Sequence, residues 1–331
     1  MAVQPEIAHA PTIPVLGGGP AGMSCALWLS NYGLRPLIIE AQATLGGMAG
    51  RDPYPNPWLL GRPGLRGRDN AAEFARHIEA IKIECWLGAR PQRARRRVHG
   101  QFAVDIAFSD QRPPRAVACA ALVIAMGTEF RGAEWLDGIE NAHHLAQQGR
   151  VHLGPAWSGE PGVDVDSHIA VIGGGDNAFD VARMLIERGV TTSIILRAKS
   201  PRAQPSLIER VRAHEASGRA EVLAERTVRA LEDVGTRVRL YLSDGSTREV
   251  DHIVLLLGYR PNTHEPWLAE LALKQDSAGY LIVDSNMETS CRGVFAVGDV
   301  ANPAHPCIAT AIATGTMAAR EIQKRFARMP K

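Results

Sequence analysis

Two glycine-rich segments in this chain have the composition and spacing of nucleotide-binding turns. The first, VLGGGPAG, supplies Gly17, Gly19 and Gly22, and the second, VIGGGDNA, supplies Gly173, Gly175 and Ala178. In such a turn one small residue permits the tight bend, one lets the backbone approach a pyrophosphate, and one lets a helix pack on a strand. The phosphates then lie at the positive end of that helix. Two such turns in one short chain predict two nucleotide cofactors held face to face, as in an electron-transfer flavoenzyme.

The residues that end the following strands indicate which nucleotide each turn takes. A short predicted strand after the first turn ends in Glu40, at the position where a carboxylate takes the ribose hydroxyls. The corresponding strand after the second turn ends in Arg197 and is followed by Lys199 and Arg202. Basic groups here suit the 2′-phosphate of NADP, whereas an acid would favour NAD. NADPH is therefore the expected second cofactor, and NADH stays open.

The hydrophobic pattern places each turn between a strand and a helix. Apolar residues 13–16 predict the strand before the first turn, and residues 168–172 predict the strand before the second. Each half of the chain then alternates apolar and polar residues, at 97–119 and 220–250, which predicts a β-meander, and a buried apolar strand follows each stretch. This internal duplication predicts an α/β fold of two Rossmann-like, three-layer nucleotide-binding domains, each with a β-meander.

Composition argues against several other classes of protein. The 331 residues are 45% hydrophobic and 22% charged, as in globular proteins, and the net charge of +2 argues against a large nucleic-acid surface. No apolar run is long enough to cross a bilayer, and no group of His, Cys and acidic residues has the spacing of metal ligands. Residues 1–14 do not resemble a signal peptide, and five scattered cysteines fit a reducing cytoplasm.

The motifs together resemble the low-molecular-weight thioredoxin reductases and the thioredoxin-reductase-like ferredoxin–NADP reductases. Besides the two glycine turns, the resemblance rests on four further motifs in family order: LGGMAG at 45–50, IAMGTEFR at 124–131, LLGYRPNT at 256–263 and GVFAVGDV at 293–300. It implies an FAD-binding domain made of residues 1–128 and 259–331, an inserted NAD(P)H-binding domain of residues 129–258, and a homodimer.

The resemblance also implies which residues bind each cofactor. The implied FAD contacts are Gly17, Gly19, Pro20, Ala21, Gly22, Glu40, Gly46, Gly47, Gly127, Gly298, Asp299, Cys307 and Ile308. The implied NAD(P)H contacts are Gly173, Gly175, Asp176, Asn177, Ala178, Arg197, Lys199, Arg202 and Gly258. Asp299 would hold the ribitol chain. Cys307 would lie near the flavin pyrimidine at a helix start, which favours the thiolate form.

One departure from the thioredoxin reductases decides the predicted function. Those enzymes carry a CxxC pair shortly before the second glycine turn, whereas residues 143–168 of this chain contain no cysteine. The ferredoxin-type reductases also lack the pair, and PYPNPWLLGRPGLRG at 53–67 resembles their aromatic-rich loop. We therefore expect an FAD-dependent NAD(P)H oxidoreductase whose electrons leave at the flavin edge, for ferredoxin, flavodoxin or a small-molecule acceptor.

Several residues leave alternative interpretations open. Cys307, alone or with Cys25, either exchanges electrons with an external disulfide, as a catalytic thiol, or is an inert thiol. Tyr54 and Trp58 either stack on the flavin or only anchor their loop. A flavin- and nucleotide-binding redox sensor is a further alternative. Five arginines either receive an acidic electron carrier or guard a hairpin edge, namely Arg90, Arg93, Arg95, Arg96 and Arg97.

Overall fold

The computed structural model describes residues 11–156, 163, 165–301 and 304–327. Residues 1–10, which carry most of the prediction that the chain has no signal peptide, lie outside these residues. Residues 157–162 and 164, within the stretch 143–168 that contains no cysteine, also lie outside them. The chain folds into two compact units, of which the first is Met1–Glu129 with Arg260–Lys331 and the second is Phe130–Tyr259. The chain crosses from the first unit to the second after Glu129 and returns after Tyr259. The assignment of FAD to one unit and NAD(P)H to the other stays a prediction.

A five-stranded parallel sheet forms the centre of the first unit. Its strands are β1 (Thr12–Leu16), β2 (Arg35–Glu40), β3 (Glu84–Leu87), β7 (Leu122–Ile124) and β18 (Val294–Ala296). Their order is β18-β7-β1-β2-β3, so the central β1 pairs with both β2 and β7. The carboxyl ends of β1 and β2 therefore lie side by side, which brings the first glycine turn next to the residue that ends β2.

Alternate side chains of β1 contact two different layers, because successive residues of a strand point to opposite faces. Ile13 and Val15 are buried with three helices, and Leu16 is buried with an antiparallel meander. The helices are α1 (Pro20–Asn31), α2 (Gly67–Ala80) and α8 (Ile308–Ala327). The meander consists of β4 (Ala89–Arg96), β5 (Phe102–Phe108) and β6 (Arg115–Cys119), and the short helix α7 (Pro266–Ala269) packs on the same side.

The second unit repeats this plan. Its parallel strands are β9 (Val151–Leu153), β10 (His168–Ile172), β11 (Thr191–Leu196), β12 (Ala220–Ala224) and β16 (His252–Leu255), in the order β12-β11-β10-β16-β9. Ile169 and Val171 face the helices α5 (Asp176–Glu187) and α6 (Pro205–Arg212). On the other face lie the meander strands β13 (Val228–Asp233), β14 (Val238–Leu242) and β15 (Thr247–Val250), and the helices α3 (Ala133–Gly138) and α4 (Ala142–Gln147). The predicted fold class is confirmed.

Two strands differ from the expectation. β4 belongs to the first meander but lies before residues 97–119, the stretch expected to form it. The sequence did not predict this strand, because ARPQRARR is too charged to show apolar alternation. β12 begins the stretch assigned to the second meander, yet it pairs in parallel with β11, since α6 leads the chain back to the sheet. The strands β8 (Thr128–Phe130) and β17 (Tyr259–Pro261) pair where the chain crosses between units. No described helix is both long and apolar enough to span a membrane.

Candidate nucleotide-binding sites

The first glycine turn joins β1 to α1 and has no space for a side chain at Gly17 or Gly22. Gly17 has a φ of +115°, and a Cβ there would overlap the carbonyl oxygen of Ala125. A Cβ on Gly22 would overlap the carbonyl oxygen of Gly17. Pro20 opens α1, and neither Ala21 nor any other residue of its first turn is acidic. The positive end of α1 is therefore suited to an anionic phosphate.

Glu40 is buried at the end of β2, beside this turn. Its Oε2 accepts the Gly18 N–H at 2.6 Å, and its Oε1 accepts the Gln42 N–H at 2.8 Å. These two backbone donors fix the carboxylate, and each oxygen retains a lone pair for a further donor. Two neighbouring ribose hydroxyls would supply such donors.

The LGGMAG segment lies against the same turn. Gly46 has a φ of +134° and donates its N–H to the Gly18 carbonyl oxygen at 2.9 Å. A Cβ on Gly47 would lie 3.0 Å from the Cα of Gly19. The two backbones thus approach each other at the start of α1, which explains the glycines at these positions.

Asp299 carries a buried oxygen that lacks a hydrogen-bond donor. It lies in a 3₁₀ turn, Gly298–Ala301, in which Gly298 has a φ of +71° and donates its N–H to Thr314 Oγ1 at 2.9 Å. Asp299 Oδ1 is buried with no partner among the described residues, and burial raises the pKa of the carboxyl. A buried acceptor without a donor costs about 1–3 kcal/mol. A sugar hydroxyl would remove this cost, so the residues present fit the ribitol chain of a flavin nucleotide.

The structure gives the two cysteines of the thiol hypothesis different environments. Cys307, half-buried, directly precedes Ile308 at the start of α8; its N–H donates to Thr310 Oγ1 at 3.1 Å, and its Sγ lies 3.5 Å from the same oxygen. Cys25 is fully buried in α1, where burial raises the pKa of its thiol to about 12. All five cysteines are free thiols. Cys25 is therefore a poor source of thiolate at neutral pH, and a redox role for Cys307 stays a prediction.

The second glycine turn is as closely packed against its neighbouring chain segment as the first. Gly173 has a φ of +155°, and a Cβ there would overlap the carbonyl oxygen of Leu256 and lie 3.2 Å from the Cβ of Ala178. Around Gly175, which caps α5, a Cβ would meet no described atom within 4 Å. This open space beside the start of α5 is where a pyrophosphate approaches a Rossmann turn.

Two side chains at the start of α5 are held by neighbouring segments. Asp176 Oδ1 accepts the Gln204 N–H at 2.7 Å, and Asn177 Nδ2 donates to the Tyr259 hydroxyl at 2.9 Å. Gly258, with a φ of +90°, accepts the Arg131 N–H at its carbonyl oxygen at 2.9 Å. The second turn is thereby fixed to the return crossover.

Three cations follow the end of β11. Arg197, Lys199 and Arg202 are all exposed, and none of them forms an ion pair with another described residue. The Arg202 N–H donates to the Gly174 carbonyl oxygen at 2.7 Å. Its backbone therefore lies at the glycine turn, and the three charges remain available to an anion.

The other residues named in the sequence analysis differ in their exposure and in their contacts. Gly127, with a φ of +61°, accepts the Asn262 N–H at 3.1 Å. Trp58 is 88% exposed. Within the arginine group, Arg93 is paired with Glu270 and Arg95 with Asp105, at 2.8 and 2.6 Å. These two charges are already neutralised in part.

Sequence reasoning missed three supporting residues. Gln204 supports Asp176 through its backbone N–H, which no side-chain pattern reveals. Thr314 supports Gly298, and its position one helical turn after Thr310 was the only available signal. Asn262 donates its side-chain amide to the Met126 carbonyl oxygen at 2.7 Å, beside Gly127.

Comparison with known proteins adds a family and a fold. Residues 11–321 match the model of the pyridine nucleotide-disulphide oxidoreductases. A ferredoxin–NADP reductase of Ignicoccus hospitalis is 29% identical, with 92% of this chain and 94% of that protein covered. A glucosaminate ammonia-lyase of Pseudomonas fluorescens is 28% identical, with 96% of each covered. The crystal structure of Lactococcus lactis thioredoxin reductase matches with a TM-score of 0.81 and 22% identity, over 96% of this chain and 100% of that one.

Proposed function

Because this chain belongs to the pyridine nucleotide-disulphide oxidoreductase family, we propose that it transfers electrons between NADPH and a small redox protein at the edge of its flavin. As a family member it is an FAD-dependent NAD(P)H oxidoreductase. When bound, the flavin supplies the hydride and electron transfer chemistry. The protein binds and orients the two nucleotides.

Residues of the first unit hold FAD in this proposal. The start of α1, with Gly17, Gly19, Pro20, Ala21 and Gly22, takes the pyrophosphate, and Glu40 accepts the ribose hydroxyls. The unpaired Asp299 Oδ1 supports the assignment of Asp299 to the ribitol chain. The remaining contacts are Gly46, Gly47, Gly127, Gly298, Cys307 and Ile308.

Residues of the second unit hold NADPH. The turn around Gly173, Gly175 and Ala178 takes its pyrophosphate, with Asp176, Asn177 and Gly258 beside it. Arg197, Lys199 and Arg202 bind the 2′-phosphate. Their exposure supports this role, since ion-paired arginines would first have to release their partners.

The absence of a CxxC pair from the second unit is the observation that decides which electron acceptor we propose. No cysteine occurs between Cys119 and Cys291, so the whole second unit lacks a thiol. Electrons therefore leave without a CxxC relay in that unit. Relatives named ferredoxin–NADP reductases favour ferredoxin or flavodoxin as the acceptor. A small-molecule acceptor is the second candidate.

The test is a steady-state assay of the FAD-loaded protein with NADPH and with NADH against ferredoxin, flavodoxin and thioredoxin. We expect NADPH-dependent reduction of ferredoxin or flavodoxin and none of thioredoxin, and a Cys307→Ser variant should behave alike. Reduction of thioredoxin that Cys307→Ser abolishes would instead establish the thiol mechanism. Failure to reduce any acceptor would favour a redox sensor.

Two further proposals concern assembly and location. We propose a homodimer, which the family resemblance supports, in the cytoplasm, where the five free thiols of this chain would stay reduced. Light scattering of the purified protein would measure its mass in solution.

A further inference from the structure

The loop that follows the LGGMAG segment carries two accessible apolar side chains. This loop, residues 52–67 and here named the Trp58 loop, exposes 88% of Trp58 and 99% of Leu60. A single exposed Leu is ordinary, but Trp is among the residues that dominate binding at protein interfaces. A Trp and a Leu two positions apart therefore indicate a contact surface.

Hydrogen bonds at the base of the Trp58 loop hold its tip in place. Pro55 and Arg66 form an antiparallel bridge, and the Asn56 N–H donates to the Leu65 carbonyl oxygen at 2.9 Å. Four prolines occur within the loop and restrict its backbone. A loop that is ordered before binding loses little conformational entropy when a partner docks.

The charges around the tip favour an acidic partner. From position 51 to position 73 four arginines stand against three carboxylates, which leaves an excess of one positive charge. Arg66 is paired with Asp69 at 2.7 Å, whereas Arg62 lies 3.9 Å from Glu73, and Arg51 is exposed. The excess positive charge raises the association rate of a partner with a negative surface.

We propose that the Trp58 loop is the docking surface for an acidic electron-carrier protein, an inference that rests on the proposed function. The loop continues directly from residues 45–50, the segment proposed to contact the flavin. It ends at α2, which touches the same segment: a Cβ on Gly46 would lie 3.2 Å from the Cβ of Ala71. A carrier seated on Trp58 and Leu60 is therefore held beside the flavin segment.

The test compares two acceptors for the FAD-loaded protein with NADPH. Purified bacterial [4Fe–4S] ferredoxin requires docking, and ferricyanide does not. The double variant Trp58→Ser/Leu60→Ser should lower kcat/KM for ferredoxin about tenfold or more and leave ferricyanide reduction within about twofold. Val98→Ser is the matched control, because Val98 is 78% exposed outside the loop. Arg51→Gln/Arg62→Gln should reduce the dependence of the ferredoxin rate on salt.

Other outcomes distinguish a failure of this docking surface from a failure of the proposed function. Unchanged ferredoxin kinetics in the double variant would overturn the docking surface and leave the function intact. A wild-type protein that reduces ferricyanide but no carrier protein would overturn both. If the double variant kept normal ferredoxin kinetics but lost binding to anionic phospholipid vesicles, the tip would be a membrane contact. If it kept normal kinetics but changed from a dimer to a monomer, the tip would contact a second copy of the chain. Either result would overturn the inference.

Discussion

The two glycine turns pack against backbone carbonyl oxygens in the same way, but the strand ends beside them differ. Beside the first turn, Glu40 is buried and accepts two backbone N–H groups. Beside the second, Arg197 is exposed, and only the backbone of Arg202 is tied to the turn. A fixed carboxylate suits a permanently bound nucleotide with free ribose hydroxyls, whereas accessible cations suit a nucleotide that binds and leaves with an extra phosphate. The residues at the strand end therefore distinguish two turns that otherwise pack alike.

The largest effects should come from adding a methyl group at each turn. Gly17→Ala places a Cβ against the Ala125 carbonyl oxygen and should destabilise the protein by about 3 kcal/mol. The flavin content of the purified protein should fall accordingly. Gly173→Ala, the matched change in the second unit, should leave the flavin bound and abolish its reduction by NADPH. If Gly173→Ala also loses flavin, the two turns do not serve separate nucleotides.

Removal of the cations should change nucleotide preference. Arg197→Ala/Arg202→Ala should raise KM for NADPH about tenfold or more, because charge-assisted hydrogen bonds are lost, and should hardly change KM for NADH. Arg212→Ala, which removes an exposed arginine of α6, is the control. Equal effects on the two nucleotides would show that these arginines do not bind the 2′-phosphate.

These two site contrasts were visible in the sequence, because a glycine turn and a strand end are local features. The support around them was not. Gln204 reaches Asp176, at the second turn, from 28 residues away along the chain, and Thr314 reaches Gly298, beside Asp299, from 16 residues away. β12 was misassigned because a half-buried parallel strand and a meander strand have the same alternation. The exposure of Trp58 also depends on how its loop folds, which composition does not determine.

A change at Glu40 should produce an effect of intermediate size. Glu40→Gln turns an amide N–H towards one of the two backbone donors, Gly18 or Gln42, so one hydrogen bond is lost. We expect a loss of about 1–2 kcal/mol, seen as about tenfold weaker FAD binding and a lower Tm. Glu79→Gln, on an exposed position of α2, should change neither quantity. FAD affinity that survives Glu40→Gln unaltered would remove this carboxylate from the cofactor site.

Acid should weaken the second unit through a histidine pair. His152 Nε2 lies 3.2 Å from His252 Nδ1, and burial, with a smaller contribution from His252, lowers the pKa of His152 from 6.5 to about 4. The folded state thus favours neutral His152. Its contribution to stability is complete above pH 6.5 and is lost as the pH falls towards 4.

This loss should amount to about 1 kcal/mol, given the partial exposure of the pair. Urea unfolding at pH 7 and pH 4.5 would measure it, and His152→Gln/His252→Gln should show a smaller decrease than the wild type. His143→Gln, which replaces an exposed ring whose Nε2 lies 2.7 Å from Asp137 Oδ1, is the control and should match the wild type. A decrease of wild-type size in the double variant would contradict this assignment.

The central claim is that electrons pass from NADPH through the flavin to a carrier protein without help from a cysteine. Anaerobic stopped-flow spectroscopy of the Cys307→Ser protein tests it most directly, by following the flavin absorbance first with NADPH and then with oxidised ferredoxin or flavodoxin. We predict rapid bleaching by NADPH and recovery of the oxidised spectrum with the carrier, as in the wild type. A flavin that NADPH leaves oxidised, or one that only a disulfide reoxidises and only when Cys307 is present, would contradict the claim.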